Sequence, residues 1–531
     1  MSPPTFYKAP FLLDSELFFY LFLPGMRALF FLLIICCLGA SAQFKDSYHP
    51  HMKIAMENNN RFPLLDTNSY SLLNYSTDFP KAQRFRVAHF QKLNPFFNIN
   101  LNLLKYSSEG IFNYQESKSH QFDALLSFNG NQFSSILHFG SNNYTAQENG
   151  GLENYDPQIE IEAVLFDVFT NSLNEGKNRI LNFKNRYQIS NNFSVIQSLN
   201  FQNFSRTFFN SNLNDGFYST IYLDSTLTKD STYYSLFQNN IGVEYKSFKL
   251  NYLLRKYEYA QYELDSIFVD HGFSIGYNLN RNNVYWKVKS RFFKQSDRLL
   301  SIKAYSPDSV WSVNLSASQS LVEFVQNRYR SNHFIFNNHF LNPQQVQALL
   351  SINLDPFKLY TSIRRYHNFL YLDHNQQWQQ HTTGLNHLNT SLTLSKVWKS
   401  VAIYQKVDFN YSSNDQLIRL PKYSSYTDVN YSFLLFDQQL DLKLGALFYY
   451  FSAFYANAYS PALANYYLQN EQLIGDFPFS TVYASFQVES VNIQFKYNNI
   501  FDKVSNNTYY YLPNYPYYGS PFSFSINWKL N

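Results

Sequence analysis

The last eleven residues constrain the fold of this chain more than any other stretch. They read PFSFSINWKLN, so apolar side chains at 522, 524, 526, 528 and 530 alternate with small or polar ones. Successive side chains of a β-strand point to opposite faces, which places all five apolar residues on one face. A tilted strand of about ten residues spans a bilayer. We therefore expect this strand to lie in a membrane barrel and to pair with the first strand, leaving no open edge.

The composition fits strands that face lipid on one side and water on the other. Aromatic residues make up 19% of the chain and charged residues only 15%, whereas an ordinary soluble domain has about 25% charged residues. The mean hydropathy of −0.34 argues against a bundle of membrane helices. The formal net charge of +4 is too small to indicate nucleic-acid binding. An all-β transmembrane antiparallel barrel is the fold class that meets these conditions.

An export signal is predicted at the N-terminus. Residues 28–38 are apolar, follow Arg27 and precede an Ala-Ser-Ala cleavage pattern at 40–42. We expect residues 1–42 to be a cleaved signal peptide, with translation starting at Met26. The apolar run is short for a transmembrane helix, although a membrane anchor remains the alternative. Both cysteines of the chain lie in this segment, so the mature chain would hold neither a disulfide nor a Cys-ligated metal.

The rest of the chain is predicted to form one domain. Residues 43–82 lack alternation and are interpreted as a periplasmic N-terminal segment, and residues 83–531 as the barrel. About 16 to 20 segments of roughly 9–13 residues carry strand signals. Single-chain bacterial barrels have even strand counts, so we expect about 18 strands, with 16 as the next choice. The closing strand would pair with one starting near Arg84.

Connections of two lengths alternate along the predicted barrel. Short turns are predicted at residues 129–130, 246–247 and 489–490. Long polar stretches lie at residues 142–177, 207–233 and 456–479. Outer-membrane barrels have short periplasmic turns and longer extracellular loops, so this asymmetry favours a barrel over a soluble sandwich.

Three stretches of the sequence point to a known family. The first is RFRVAHFQ at residues 84–91, with ENGG at 148–151 downstream. The second is YSPAL at residues 459–463, and the third is Tyr-Pro at 515–516 with the terminal strand. In these stretches the chain resembles the outer-membrane porin family of Bacteroidetes, which consists of porin-like β-barrels.

The resemblance implies a transport function. Residues 43–82 are too few for the separate N-terminal plug domain that TonB-dependent receptors carry. We therefore expect an open or loop-constricted channel for passive diffusion of small hydrophilic solutes. Localisation would be the outer membrane of a Gram-negative cell, with lipid as the surrounding partner. The C-terminal strand would be read by the barrel-insertion machinery. The sequence does not decide between a monomer and a homo-oligomer. No cofactor is expected.

Strand parity predicts which charged side chains face the lumen. If the apolar face meets lipid, basic residues predominate among the inward positions of four strands. The pore-lining candidates are Lys249, Arg255, Lys287, Lys289, Arg291, Lys358, Arg364 and Lys496. Fixed positive charge in a pore lowers the energy of anions. The alternative is that these charges pair across the wall or lie at the solvated rim.

Other functions remain as hypotheses. The chain could be a binding or assembly component of a larger cell-envelope complex, with the barrel as its anchor and the long loops as the interface. A third hypothesis is a barrel enzyme, but the chain contains no H-E-x-x-H motif and we do not expect catalysis. Four histidines between residues 367 and 387 fit no strand-face metal site, so we expect no bound metal. Tyrosine-rich rows are typical of aromatic girdles at the membrane interfaces.

Overall fold

A computed structural model describes residues 69–78, 81–110, 112–151, 171–213, 217–281, 283–295, 297–501, 509–517 and 522–530. The predicted signal peptide lies outside these described residues. Over the described part of the chain, 22 strands form one antiparallel sheet in which every strand pairs with two neighbours. The sheet is therefore a closed barrel, in which the backbone of each wall strand can hydrogen-bond to a neighbour on both sides. No helix among the described residues is both long and apolar enough to cross a membrane.

The strands follow one another in chain order. The first fifteen are β1 (Tyr70–Asp78), β2 (Ala82–Lys92), β3 (Phe97–Ser108), β4 (Ser117–Asn129), β5 (Phe133–Gln147), β6 (Ser172–Ser190), β7 (Phe193–Asn210), β8 (Thr228–Tyr245), β9 (Phe248–Gln261), β10 (Leu264–Arg281), β11 (Val284–Phe293), β12 (Arg298–Tyr305), β13 (Trp311–Gln319), β14 (Arg328–Arg330) and β15 (Ile335–Asn337). The others are β16 (Gln344–Leu354), β17 (Phe357–His367), β18 (Phe369–Leu372), β19 (Trp378–His381), β20 (Leu385–Trp398), β21 (Val401–Ser412), β22 (Tyr423–Leu435), β23 (Leu440–Phe451), β24 (Ala458–Ser460), β25 (Asn465–Tyr467), β26 (Phe479–Val488), β27 (Val491–Asn498), β28 (Tyr509–Leu512), β29 (Tyr515–Tyr517) and β30 (Phe522–Leu530).

Four pairs of short strands lie outside the wall. β14 pairs with β15, β18 with β19, β24 with β25, and β28 with β29, each as a separate two-stranded sheet within a long connection. One short helix, α1 (Phe324–Asn327), precedes β14. The remaining 22 strands make up the wall.

The barrel is wider than the sequence indicates, and the expectation of about 18 strands is wrong. One reason is β1, which falls within the segment interpreted as a periplasmic lead-in. Its Leu72 and Leu73 are adjacent, and its other positions are mostly polar, so alternation is weak. The stretches at 142–177 and 207–233 are also less loop-like than expected. Strands β5 to β8 extend into them by several residues from both sides.

The terminal strand closes the barrel, as expected, but on a different partner. β30 pairs with β1 from Ser71 opposite Leu530 to Ser76 opposite Ser525. The predicted partner near Arg84 belongs to β2, which is the next strand round. β1 therefore supplies the edge that would otherwise have met lipid without hydrogen bonds.

The two faces of the wall differ in chemistry. Exposed apolar side chains, such as Trp286, Phe292 and Trp528, lie on the outer face. Asparagine and serine side chains on the intervening positions are buried, including Asn492 and Ser523. This pattern supports the inside–outside assignment made from strand parity.

The two ends of the barrel differ in connection length. The predicted turns at 129–130, 246–247 and 489–490 join β4 to β5, β8 to β9 and β26 to β27. Lys246 and Glu489 have positive φ angles of 50° and 47°, which primed hairpin turns require. The opposite end carries the long connections between β13 and β16, β17 and β20, and β23 and β26. We call these the short-turn end and the loop end.

Candidate functional site: the barrel lumen

A cavity of about 1480 Å³ occupies the barrel interior. Strands β4 to β13 supply most of its wall. Loop residues also line it, notably Tyr329, Phe336, Trp378 and Leu463. The cavity is therefore bounded by the wall on its sides and by loops at the loop end.

Basic side chains outnumber acidic ones in the described lining of this cavity. The basic residues are Lys184, Arg186, Arg206, Lys249, Arg255, Lys287, Lys289, Arg291 and Lys303. The acidic residues are Asp123, Glu244, Asp297 and Glu323. Amide and hydroxyl side chains fill many of the remaining positions. Nine basic against four acidic side chains give the described lining of this cavity a net positive formal charge, which lowers the energy of an anion there.

Ion pairs neutralise part of this charge. Glu244 contacts both Arg186 and Lys249, each at 2.7 Å. Asp297 pairs with Arg255, and Arg291 lies 3.9 Å from the same carboxylate. Each of these two carboxylates is shared by two basic groups, so both clusters keep a net positive charge. Ion pairing across the wall, which is the alternative given above, therefore neutralises only part of the excess positive charge.

The structure separates the eight sequence candidates into two groups. Lys249, Arg255, Lys287, Lys289 and Arg291 line the cavity together. Arg364 is buried on β17, opposite His387 of β20 in the sheet register. Lys358 is exposed beside the short turn between β16 and β17, and Lys496 lies opposite Tyr483. Their part in conduction stays a prediction.

Loops fold back into the loop end of the barrel and pack there around apolar side chains. Phe208, an inward residue of β7, contacts a cluster formed by Tyr329, Phe334, Phe336 and Ala462 from two different loops. Tyr218, Trp378 and Leu463 pack against the same cluster. We call this group the loop cluster. Both Phe208 and Ala462 have an exposed fraction of 0%, so the cluster has a dry centre.

Arg206 fixes one loop of this cluster to the wall. It lies on β7 and donates hydrogen bonds from Nη2 to the carbonyls of Pro461 and Ala462, at 2.7 and 2.8 Å. Its Nε donates to Asn174 Oδ1 at 2.9 Å. Asn174 in turn donates to Pro461 O at 2.9 Å and to Glu148 Oε1 at 2.7 Å. A buried polar network thus holds the loop tip at residues 459–463 against β6 and β7.

Buried phenols complete the docking of the loop cluster. The Tyr459 hydroxyl donates to Glu148 Oε1 at 3.2 Å. The Tyr218 hydroxyl accepts the Ala462 N–H at 2.9 Å, and burial raises the pKa of that phenol far above its usual value. Burial also raises the pKa of Tyr329 to about 12, against the opposing effect of the Arg206 guanidinium. These phenols therefore stay neutral.

Sequence reasoning missed the role of Arg206 and Asn174. A signal for their partners was present, because Glu148 and residues 459–463 lie in the stretches that carry the family resemblance. The same region includes Gly151, whose φ is 87°. A Cβ at Gly151 would lie 2.6 Å from Cβ of Asn514, next to the third such stretch. The structure thus brings parts of the first two stretches together at the loop end, next to the residue that precedes the third.

One catalytic motif occurs in the sequence without its usual structure. Residues 272–276 read Gly-Phe-Ser-Ile-Gly, which matches G-x-S-x-G. The motif lies inside β10, a continuous strand, rather than at a strand-to-helix turn. Ser274 Oγ accepts a hydrogen bond from the Asn251 amide at 2.8 Å, and an amide is not a general base. The local geometry is not that of a nucleophile elbow.

The closed barrel, its polar lumen and its inward-folded loops define an outer-membrane β-barrel of the porin class. The profile of a family described as "Putative porin" matches residues 53–531. Because this match covers most of the chain, the protein belongs to that family. No curated protein matches the chain.

Several solved structures have similar barrels, among them an iron transporter and two ferric receptors. The FrpB iron transporter from Neisseria meningitidis (F3-3 variant) has a TM-score of 0.61 at 11% identity, over 88% of this chain and 82% of that one. The ferric preacinetobactin receptor BauA from Acinetobacter baumannii has a TM-score of 0.57 at 13% identity, over 88% and 80%. The ferric enterobactin receptor PfeA has a TM-score of 0.61 at 10% identity, over 88% and 82%. At these identities the likeness concerns the fold alone.

Proposed function

We propose that this protein is an outer-membrane channel that passes small hydrophilic solutes and prefers anions. The observation that carries the proposal is the lumenal cavity, whose described lining holds nine basic and four acidic side chains. Family membership supports a transport role. The loop cluster makes the channel a constricted one, since it places packed side chains where a wide barrel would otherwise be open.

Reversal potentials in a salt gradient test this proposal. The wild-type protein in a planar bilayer should favour anions modestly, and the preference should fade as salt rises. Each fixed charge acts within a Debye length of about 8 Å at physiological salt, which is short against a wide lumen. The double variant Lys287→Glu, Lys289→Glu should shift the preference towards cations.

A matched control addresses non-specific effects of charge. Lys399→Glu changes an exposed lysine in the turn between β20 and β21, outside the cavity lining. It should leave selectivity close to that of the wild type. A cation-selective wild type, or a double variant with unchanged selectivity, would contradict the proposal.

A second candidate is a gated receptor that admits a specific ligand when its loops move. The filled loop end favours it, because 22-stranded outer-membrane transporters have a plugged lumen. Liposome swelling separates the two candidates. A channel admits small sugars and amino acids at rates that fall smoothly with size, whereas a receptor admits none of them. Absence of any conductance together with a stable co-purifying partner would instead support the envelope anchor.

A further inference from the structure

Four lysines lie near one another on the lumen wall, and two of them flank a glycine. Gly276 of β10 lies opposite Lys249 of β9 on one side and opposite Lys289 of β11 on the other. Lys287 lies two residues from Lys289 on the same inward face, and it is opposite Lys303 of β12. All four lysines line the cavity, as does Gly276 itself.

The glycine leaves a recess in the wall between these lysines. A Cβ at Gly276 would be in ordinary contact, 3.6 Å from Cβ of Lys249 and 4.0 Å from the Val288 carbonyl oxygen. By contrast, a Cβ at Gly242 of β8, two strands away, would lie 2.3 Å from Asn251 Oδ1. The absence of a side chain at 276 is therefore not forced by crowding, and it opens space beside Lys249 and Lys289.

Two of the lysines are placed at an electrostatic cost. Like charges directly opposite each other on neighbouring strands destabilise a sheet. Lys287 and Lys303 occupy such positions, and Lys303 is only 2% exposed. Their Nζ atoms lie 5.3 and 5.2 Å from the same Tyr305 ring centroid. Electrostatic repulsion that persists at one place in an otherwise consistent structure is typical of a functional site.

We propose that Lys287, Lys289 and Lys303 beside Gly276 form a binding site for a small, multiply charged oxyanion of the phosphate or sulfate type, with Lys249, which pairs with Glu244, at its edge. Ammonium groups bind such anions as point charges, and a divalent anion between them would relieve the Lys287–Lys303 repulsion. The inference rests on the proposed function, because it takes the lumen as the path of the solute. The anion would then bind at this site while it crosses the lumen.

Equilibrium dialysis with radiolabelled inorganic phosphate tests the site on the full-length protein folded in detergent. One saturable site is expected in low-chloride buffer, with sulfate as a competitor. Binding should weaken at least tenfold in Lys287→Gln, Lys303→Gln. Lys399→Gln, which removes a lysine outside the cavity lining, should bind as the wild type does.

A second variant tests the recess without changing any charge. Gly276→Leu fills the space with an apolar side chain and should weaken phosphate binding at least tenfold, whereas Gly276→Ala should weaken it only slightly. Binding that is not saturable would overturn the site. So would binding that survives both Gly276→Leu and the double lysine variant.

The two proposals fail separately. Anion-selective conductance without phosphate binding overturns the binding site and leaves the channel standing. Phosphate binding without conductance overturns the channel and leaves the binding site standing. Binding of sulfate and phosphate with equal affinity supports recognition of charge, whereas strong preference for phosphate supports recognition of its protons.

Discussion

Trp286 and Lys287 are neighbours in sequence but lie on opposite faces of the barrel wall. Trp286 is 41% exposed on the outer face, and Lys287 lines the lumenal cavity. The contrast arises from strand geometry alone, because successive side chains of a strand point to opposite sides. A shift of one residue along β11 therefore decides whether a charged side chain faces hydrocarbon or water.

Charge substitutions at these two positions should differ sharply in cost. Trp286→Lys should destabilise the folded barrel by about 2–4 kcal/mol, because it places a charge on the lipid face. Lys287→Gln should not destabilise the barrel, and loss of the repulsion with Lys303 should stabilise it slightly. Urea unfolding in lipid vesicles, followed by the gel shift of folded against unfolded protein, measures both. Equal unfolding midpoints would show that the assignment of faces on β11 is wrong.

Among the elements, the loop at 452–478 departs most from what its sequence suggests. The stretch at 456–479 is predicted to be a long polar loop, yet it carries Ala462 into a buried cluster with Phe336 of the loop at 320–343. The docking of residues 459–463 depends on the Arg206 guanidinium and the Asn174 amide, which lie on wall strands far away in sequence. Arg206 and Ala462 are 256 residues apart.

Loss of the Arg206 contacts should loosen the loop tip at residues 459–463. Hydrogen bonds to charged groups contribute about 1.5–3 kcal/mol each, so Arg206→Ala should free this tip for a measurable fraction of time. Single-channel conductance should then rise, with more frequent switching between levels. Arg179→Ala is the matched control, since Arg179 Nη1 donates to Asn143 and Asn178 but not to the loop. Identical conductance in both variants would show that this tip does not constrict the channel.

At these two scales, the sequence predicts what is local and misses what is distant. Alternation in β11 and β30 predicts their faces, and short turns such as 246–247 are visible as breaks in alternation. The docking of residues 459–463 on Arg206 has no periodic signal, because it joins single polar groups across hundreds of residues. The total strand number likewise depends on weakly alternating strands such as β1.

For the molecule as a whole, the decisive contact is the seam between β1 and β30. Asn74 Nδ2 donates to Asn527 Oδ1 at 2.5 Å across this seam. The pairing sets the strand number at 22 within the described residues, because every other strand of the wall follows from it. The partner near Arg84 expected from the sequence would have left β1 outside the wall.

A disulfide across the seam tests this closure. Residues directly opposite each other in a sheet have Cβ atoms about 4.5–5.5 Å apart, close enough for a cysteine pair with small adjustments. Asn74→Cys, Asn527→Cys should therefore cross-link on mild oxidation, as read from a mobility shift that a reductant reverses. The mature chain has no other cysteine if residues 1–42 are removed.

A one-strand offset provides the control. Arg86 lies opposite Asn74 on β2, so it is two strands from Asn527. Arg86→Cys, Asn527→Cys should remain reduced under the same conditions. Efficient cross-linking of this pair in place of the first would mean that β2, and not β1, closes the barrel.

The sequence separation of β1 and β30 also sets a minimum time between the synthesis of these two strands. Asn74 and Asn527 are 453 residues apart, so ribosomes adding about 5–20 residues per second need roughly 20–90 s to make the second after the first. Throughout that interval β1 has no closing partner, and an unpaired strand edge invites pairing with other chains. We therefore expect the growing chain to need protection from pairing with other chains for at least that long.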